Sequence, residues 1–290
     1  MNDLVSVYIT TKNRVDLLQR AVESVLSQSY KNIEIIVSDD GSTDDTHLYL
    51  SQIKNERIKI ILGKESKGAC AARNKAIKMS SGKYVTGLDD DDYFEFDRIE
   101  KFVKHWKLIE KSGLDNNAMS GLFDDEKYLV GEGKYKNTTR ADKAFHHELV
   151  SENKIGNQIF TKKKYFVDSG LFDEELPAWQ DWDMWIRISK NFGPLYNIHE
   201  KTYIVDAKHN SGRISSSKSK KIRLAYARLI SKYHSNSDRK TKLALLEKLY
   251  EYPQVDVKTN EVFELIMNNR VKTVIKYFAK KSYHTIVCSN

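Results

Sequence analysis

The chain has 290 residues, 40% of them hydrophobic and 30% charged, which is enough for one large or two smaller domains with a buried core. No apolar run approaches the ~20 residues that a bilayer needs, so a membrane-spanning protein is not expected. The net charge of +8 is uneven: residues 1–200 carry 29 Lys and Arg against 33 Asp and Glu, whereas residues 201–290 carry 19 against 7.

Leu4 to Thr10 reads as a buried first strand. Thr11 to Arg14 is a polar turn. Asp16 can cap a helix on which Leu17, Leu18, Ala21, Val22, Val25 and Leu26 recur at helical spacing. Ile33 to Ser38 is a second strand, ending in the polar turn Asp39 to Asp44 before another helix. Ile58 to Leu62 is a third strand, and Gly68 to Ile77 opens the next helix. The fourth strand, Tyr84 to Leu88, runs into four consecutive carboxylates, Asp89 to Asp92. Strands alternating with helices of this length imply an α/β fold whose mostly parallel sheet is flanked by helices.

A helix after Asp97-Arg98 carries Ile99, Phe102, Val103, Trp106 and Ile109. Ala118 to Phe123 predicts a strand. Asp124-Asp125-Glu126 with Gly131 and Gly133 predicts a loop. Ile155 to Phe160 predicts another strand, and Lys164 to Asp168 a short helical turn. A helix begins at Gln180, with Asp181, Trp185 and Ile188 on one face and Asp183 and Arg187 as an i,i+4 pair. Thr202 to Val205 is the last strand. Ala207 to Lys220, rich in Ser, Lys and Gly, predicts a mobile loop. From Lys221 the pattern is helical, with stripes at Ile222, Ala225, Tyr226 and Leu229, at Leu243, Leu246 and Leu249, and from Val262 to Phe278. Such stripes read first as core or partner-helix contacts. The expected division is an α/β domain over 1–214 and a basic helical C-terminal extension over 215–290.

Four adjacent carboxylates repel one another, so the run is costly unless a cation relieves it. Mg²⁺ is usually held by one or two carboxylates plus substrate phosphates. A solvated acidic turn is the plainer alternative. Open α/β sheets bind ligands at the carboxyl ends of their strands, so Asp39-Asp40 and Asp89 to Asp92 should be neighbours in space. The phosphate-binding P-loop, the EF-hand loop, the Gly-x-Ser-x-Gly elbow and zinc spacings are all absent. Cys70 and Cys288 make no disulfide framework, and the first residues show no signal-peptide pattern, which fits a cytosolic chain. The basic C-terminal part suggests an anionic partner, although basic helices can simply be solvated.

The ordered set Val5 to Arg14, Glu34 to Asp44, Gly68 to Asn74, Gly82-Lys83-Tyr84, Leu88 to Asp92, and Gly170-Leu171-Phe172-Asp173 followed by Gln180-Asp181-Trp182-Asp183 resembles the family 2 inverting glycosyltransferases of the GT-A fold. The resemblance covers residues 4–190 and implies a Rossmann-like mixed sheet, a metal-dependent hexosyltransferase and a nucleotide-sugar donor. It implies that Thr10 and Asp40 line the base pocket and that Arg73 lies near the nucleotide or diphosphate. Asp91 would ligate Mn²⁺ or Mg²⁺, with Asp89 holding the ribose or sharing the metal, and Asp181 would be the catalytic base. Taken alone, Asp181 also reads as a helix N-cap. Two positions depart from the family's common pattern: Lys12 stands where many members have Tyr, and Gln180 where many have Glu.

Family prevalence favours UDP-glucose or UDP-galactose as donor. Bacterial members of this size often extend O-antigen or capsule repeats, which implies an undecaprenyl-diphosphate-linked glycan as acceptor. The expected location is cytoplasmic, peripheral on the inner face of the membrane, with the basic helical part against anionic lipid. His209 and Arg213 are candidates to reach the diphosphate from a lid. The alternatives are a sugar nucleotidyltransferase, against which Thr10 to Arg14 lacks a glycine-rich loop, and a nucleic-acid-binding module. The latter is not expected because the helical stripes lack aromatic interleaving.

Overall fold

A computed structural model describes residues 3–112, 119–208, 219–234 and 239–288. Thus Ala118, His209 and Arg213, and most of the loop expected over 207–220, lie outside the described residues. The chain divides into two compact units. The first comprises Met1–His146, Lys154–Glu174 and Asp181–His209; the second comprises His147–Asn153, Glu175–Gln180 and Asn210–Asn290.

The first unit is built on β1 (Val5–Thr11), α1 (Val15–Leu26), β2 (Ile33–Asp39), α2 (Thr46–Gln52), β3 (Ile58–Ile61), α3 (Ala69–Met79) and β4 (Tyr84–Asp89). β1, β2, β3 and β4 are mutually parallel where they pair, in the order β3-β2-β1-β4. Burial on both faces explains the near-continuous apolar sequences of β1, β2 and β4, whereas the edge strand β3 is half-buried. The strand order reverses between β1 and its neighbours β2 and β4, which opens a crevice at their carboxyl ends. Thr10 there lies beside Ser38 of β2 and Asp89 of β4. After β5 (Tyr93–Phe94) comes α4 (Arg98–Lys111), which buries Ile99, Phe102, Val103 and Trp106. Trp106 and Phe102 meet Phe160 with ring centroids 5.9 and 5.5 Å apart, and Tyr84 stacks on Phe160 at 5.0 Å.

Beyond β4 the large sheet continues through β10 (Phe160–Lys162), β6 (Gly121–Phe123), β11 (Leu195–Asn197) and β9 (Lys143–Ala144). β10 runs antiparallel to β4, so the sheet is mixed. A smaller sheet has the order β5-β12-β7-β8, with β7 (Glu126–Gly131), β8 (Lys134–Asn137) and β12 (Tyr203–Asp206). The expected loop at 124–133 is therefore a hairpin. Its charges are not solvated: Asp124 takes Arg98 Nη1 at 2.7 Å, and Glu126 takes Arg140 Nη2 at 2.5 Å. Gly133, at φ +62°, makes the turn. The strand expected over Ile155–Phe160 is displaced to Phe160–Lys162. Gly156, at φ +98°, breaks the extended run, and a Cβ there would sit 2.2 Å from Glu126 Oε1.

Helices α6 (Lys163–Asp168) and α7 (Gln180–Phe192) follow β10. The expected Asp183–Arg187 pair forms at 2.8 Å with Asp183 fully buried, and Arg187 also donates to the Ser169 carbonyl. This pins the loop after α6 to α7.

The second unit contains α8 (Ser219–Tyr233), α9 (Arg239–Leu249), α10 (Thr259–Met267) and α11 (Val271–Cys288). Its core takes Ile222, Ala225 and Leu229 from α8, Leu243, Leu246 and Leu249 from α9, Leu265 from α10, and Val274 and Tyr277 from α11. The stripes on α8 and α9 are core as read from the sequence, but of the stripe from Val262 to Phe278 only Leu265, Val274 and Tyr277 are buried, whereas Phe263, Ile266, Ile275 and Phe278 are exposed. The Tyr277 hydroxyl donates to the Val255 carbonyl at 2.6 Å, and Arg223 of α8 pairs with Glu261 of α10 at 2.8 Å.

Candidate active site

The acidic run at the end of β4 is set among three arginines. Asp90 accepts from Thr11 Oγ1 at 2.8 Å and from Arg14 Nη1 at 2.9 Å, and the same Arg14 nitrogen lies 3.3 Å from Asp91 Oδ2. Arg20 of α1 donates to the Asp91 carbonyl at 2.6 Å and to Asp206 Oδ2 at 2.6 Å. Asp92 accepts the Asp206 backbone N–H at 2.9 Å. Arg73 of α3 donates to Asp89 Oδ1 at 3.1 Å. The run is thus a buried, arginine-braced turn rather than a solvated one. Asp90 is 5% exposed, and burial pushes its carboxyl up to about 6, with Arg14 pulling it down.

Arg73 also joins the run to α7. Its Nη1 lies 3.2 Å from Asp181 Oδ1, so one guanidinium spans the carboxylate ending β4 and the carboxylate in the first turn of α7. Arg73 is 5% exposed, and its Nε and Nη1 have no hydrogen-bond partner among the described residues. Burial pushes Asp181 up to about 6; Arg73 lowers it and Asp89 raises it. A carboxylate with that value is ionised at neutral pH yet more basic than an exposed aspartate.

Asp40 directly follows β2, and its oxygens accept from Ser66 Oγ at 2.6 Å, Lys67 N at 2.7 Å and Gly68 N at 2.9 Å. It therefore fixes the loop that opens α3. Its neighbour Asp39 builds the turn after β2, accepting from Ser42 N at 3.0 Å and His47 Nε2 at 2.8 Å. Gly68, at φ +92°, has nothing within 4 Å of where a Cβ would stand, so the chain beside Asp40 faces open space. Of the residues singled out from sequence, the crevice brings together Thr10, Arg73, Asp89, Asp91 and Asp181, with Asp40 at the adjoining strand end.

The donor set at Asp89 and Asp91 fits a hard divalent cation shared with phosphate oxygens, which needs only one or two carboxylates. Among the described residues no group of three or more His, Cys, Asp or Glu would hold a metal by protein ligands alone.

Sequence reasoning missed Gln158. It is 4% exposed, accepts from the Tyr8 hydroxyl at 2.9 Å, and directs Nε2 at Asp89 Oδ1 across 3.4 Å. Tyr203 adds an oxygen that accepts the Asp89 N–H at 3.2 Å. Tyr8 and Gln158 are 150 residues apart, and nothing local marks either. The only sequence clue is Gly87, next to the acidic run: a Cβ there would lie 2.2 Å from Gln158 Oε1 and 2.3 Å from the Tyr8 ring. Gly87→Ala is accordingly expected to cost about 1–3 kcal/mol of stability, as overpacked cores do, and to slow turnover by displacing Gln158 from Asp89. Chemical denaturation and steady-state kinetics check both; unchanged values would remove this packing role.

The chain has relatives among known proteins. The model of "Glycosyl transferase family 2" matches residues 6–157. An Escherichia coli (strain K12) protein, WcaA, whose name assigns it provisionally to colanic acid biosynthesis as a glycosyl transferase, is 34% identical over 260 residues, 86% of this chain and 88% of that one. Escherichia coli WfaP, named a UDP-Glc:alpha-D-GlcNAc-diphosphoundecaprenol beta-1,3-glucosyltransferase, is 46% identical over 109 residues, 38% of this chain and 43% of its own length. The fold is similar to that of S. aureus TarS 1-349 in complex with UDP-GlcNAc, with a TM-score of 0.61 at 16% identity, covering 97% of this chain and 91% of that one. From its family match and the similarity to WcaA over most of both chains, the chain belongs to the family 2 glycosyl transferases.

Proposed function

We propose that the chain transfers a hexose, with inversion, from a UDP-sugar to a sugar hydroxyl of a lipid-diphosphate-linked glycan during synthesis of a surface polysaccharide. The observation that carries this is the Arg73 bridge, because it puts a donor-side carboxylate, Asp89, and a candidate base, Asp181, on either side of one guanidinium. Single displacement needs one base and no covalent nucleophile. An acceptor hydroxyl is far too weak an acid to ionise at neutral pH, so Asp181 takes its proton as the oxygen attacks. The first turn of α7 favours the ionised carboxylate.

On the donor side, Thr10 and Asp40 border the space assigned to the base, and the buried Arg73 donors favour the diphosphate. Asp91, with Asp89, would hold Mn²⁺ or Mg²⁺, which when bound neutralises charge on the diphosphate leaving group. WfaP, whose name specifies a UDP-Glc donor and a diphosphoundecaprenol-linked GlcNAc acceptor, supports UDP-glucose and an undecaprenyl-diphosphate acceptor. UDP-galactose is the second donor to try.

A panel of nucleotide-sugars offered with lipid-diphosphate GlcNAc tests the reading. UDP release that depends on the acceptor, strongest with UDP-glucose or UDP-galactose, is expected. Pyrophosphate release from a nucleotide and a sugar phosphate would instead identify a nucleotidyltransferase.

A further inference from the structure

The last two helices each leave apolar side chains uncovered. Phe263, Ile266 and Met267 on α10 are exposed, and across the short turn Val271, Ile275 and Phe278 on α11 are exposed too. Phe263 and Ile275 each keep 63% of their surface accessible. This is not the core face. Leu265 on α10, with Val274 and Tyr277 on α11, already fills the interior. On a helix, Val271, Ile275 and Phe278, at i, i+4 and i+7, form one stripe, while Lys272 and Lys276 lie about 100° round from Val271 and Ile275 and flank it. No Asp or Glu occurs in α11. The two acids of α10, Glu261 and Glu264, are half-buried, and Glu261 is held by Arg223.

We propose that this face of α10 and α11 is a docking surface for an anionic lipid bilayer. An apolar stripe flanked by lysines is the pattern of a helix lying in the membrane interface: the stripe enters the acyl boundary and the lysines meet lipid phosphates. Lysine stems are long enough to cover apolar surface while the ammonium groups stay among the headgroups. The charge argues against a second copy of the chain as the occupant. A two-fold contact would bring the same patch of both copies together, and with it the lysines of both. A headgroup layer offers the opposite charge over the whole face. Among the described residues no helix is long and apolar enough to cross a membrane, so the contact is one of lying on the surface. Such docking would bring the proposed enzyme to a lipid-linked acceptor, but the binding itself does not rest on that reading.

The test uses the full chain with vesicles and neither donor nor acceptor, so its outcome is independent of sugar transfer. Wild-type protein should sediment with mixed phosphatidylglycerol–phosphatidylcholine vesicles, less so as salt rises, and not with phosphatidylcholine alone. Replacing Lys272 and Lys276 by Gln should lower the partition coefficient about twenty-five-fold, since each lysine near an anionic surface contributes about fivefold. Ile275→Ser with Phe278→Ser should lower it about tenfold or more at any salt. Phe263→Ser, on the other helix, should also weaken binding. All three variants change exposed residues and should melt with the wild type by circular dichroism. Equal partition of wild type and variants, or no wild-type binding, would overturn the proposal. So would a wild-type dimer in light scattering that Ile275→Ser with Phe278→Ser converts to monomer, because a second copy would then occupy the face.

Discussion

Asp181→Asn should lower sugar transfer by about 10²- to 10⁴-fold while donor affinity stays near that of the wild type. Asparagine keeps the shape of the side chain and an oxygen that can face Arg73 Nη1, now 3.2 Å from Asp181 Oδ1. Arg73 also keeps Asp89, so the donor side should remain assembled. What is lost is the proton acceptor. The pH dependence carries the same assignment. Burial pushes the Asp181 carboxyl up to about 6, with Arg73 opposing and Asp89 assisting. The active form is the ionised one, so kcat/KM should be flat above that value and fall about tenfold per unit below it. Asp90 is also raised to about 6, so it must be separated. Asp90→Asn should keep the acid limb, whereas in Asp181→Asn the limb should vanish from the residual rate. Near-normal turnover in Asp181→Asn, or loss of the limb in Asp90→Asn alone, would refute the assignment.

The parts of this molecule legible in the sequence are those where local pattern and burial coincide. β1, β2 and β4 are buried on both faces and so are largely apolar. Their carboxyl ends share an edge by topology, so Asp39-Asp40 and Asp89 to Asp92 could be expected near one another from the strand pattern, and Asp39 and Asp89 flank the end of β1. The Asp183–Arg187 pair was legible because i,i+4 neighbours meet on any helix. The hairpin of β7 and β8 was not. Glu126 looks like a loop residue until Arg140 and Gly156 close over it, and neither is near in sequence. Gln158 is hidden for the same reason, being defined by Tyr8 and Asp89. Asp40 shows a subtler limit: its position is legible, but its hydrogen bonds to Ser66, Lys67 and Gly68 add the task of holding the loop before α3.

The second large effect is expected at Asp91. Four successive carboxylates would repel strongly in isolation, but here Arg14 faces Asp90 and Asp91, Arg73 faces Asp89, and Arg20 reaches the Asp91 carbonyl. Asp91→Ala should therefore leave the fold intact. Arg14 retains Asp90 at 2.9 Å, the backbone contact of Arg20 does not need the side chain, and one repulsive charge is removed. The unliganded melting temperature should be unchanged or slightly higher. Function should respond differently. If Asp91 is the carboxylate that shares a divalent ion with the donor diphosphate, the several kcal/mol such an ion contributes to the reaction disappear, about 10³-fold or more in rate. Binding gives a readout free of turnover. In titration calorimetry, Mn²⁺ should tighten UDP binding to the wild type and leave Asp91→Ala unaffected. Asp92→Asn is the control: Asp92 Oδ1 accepts the Asp206 N–H at 2.9 Å, and an amide oxygen can do the same, so its metal dependence should persist. Metal-dependent UDP binding in Asp91→Ala would move the ligand role to Asp89, since Arg73 leaves that carboxylate partly exposed to the crevice.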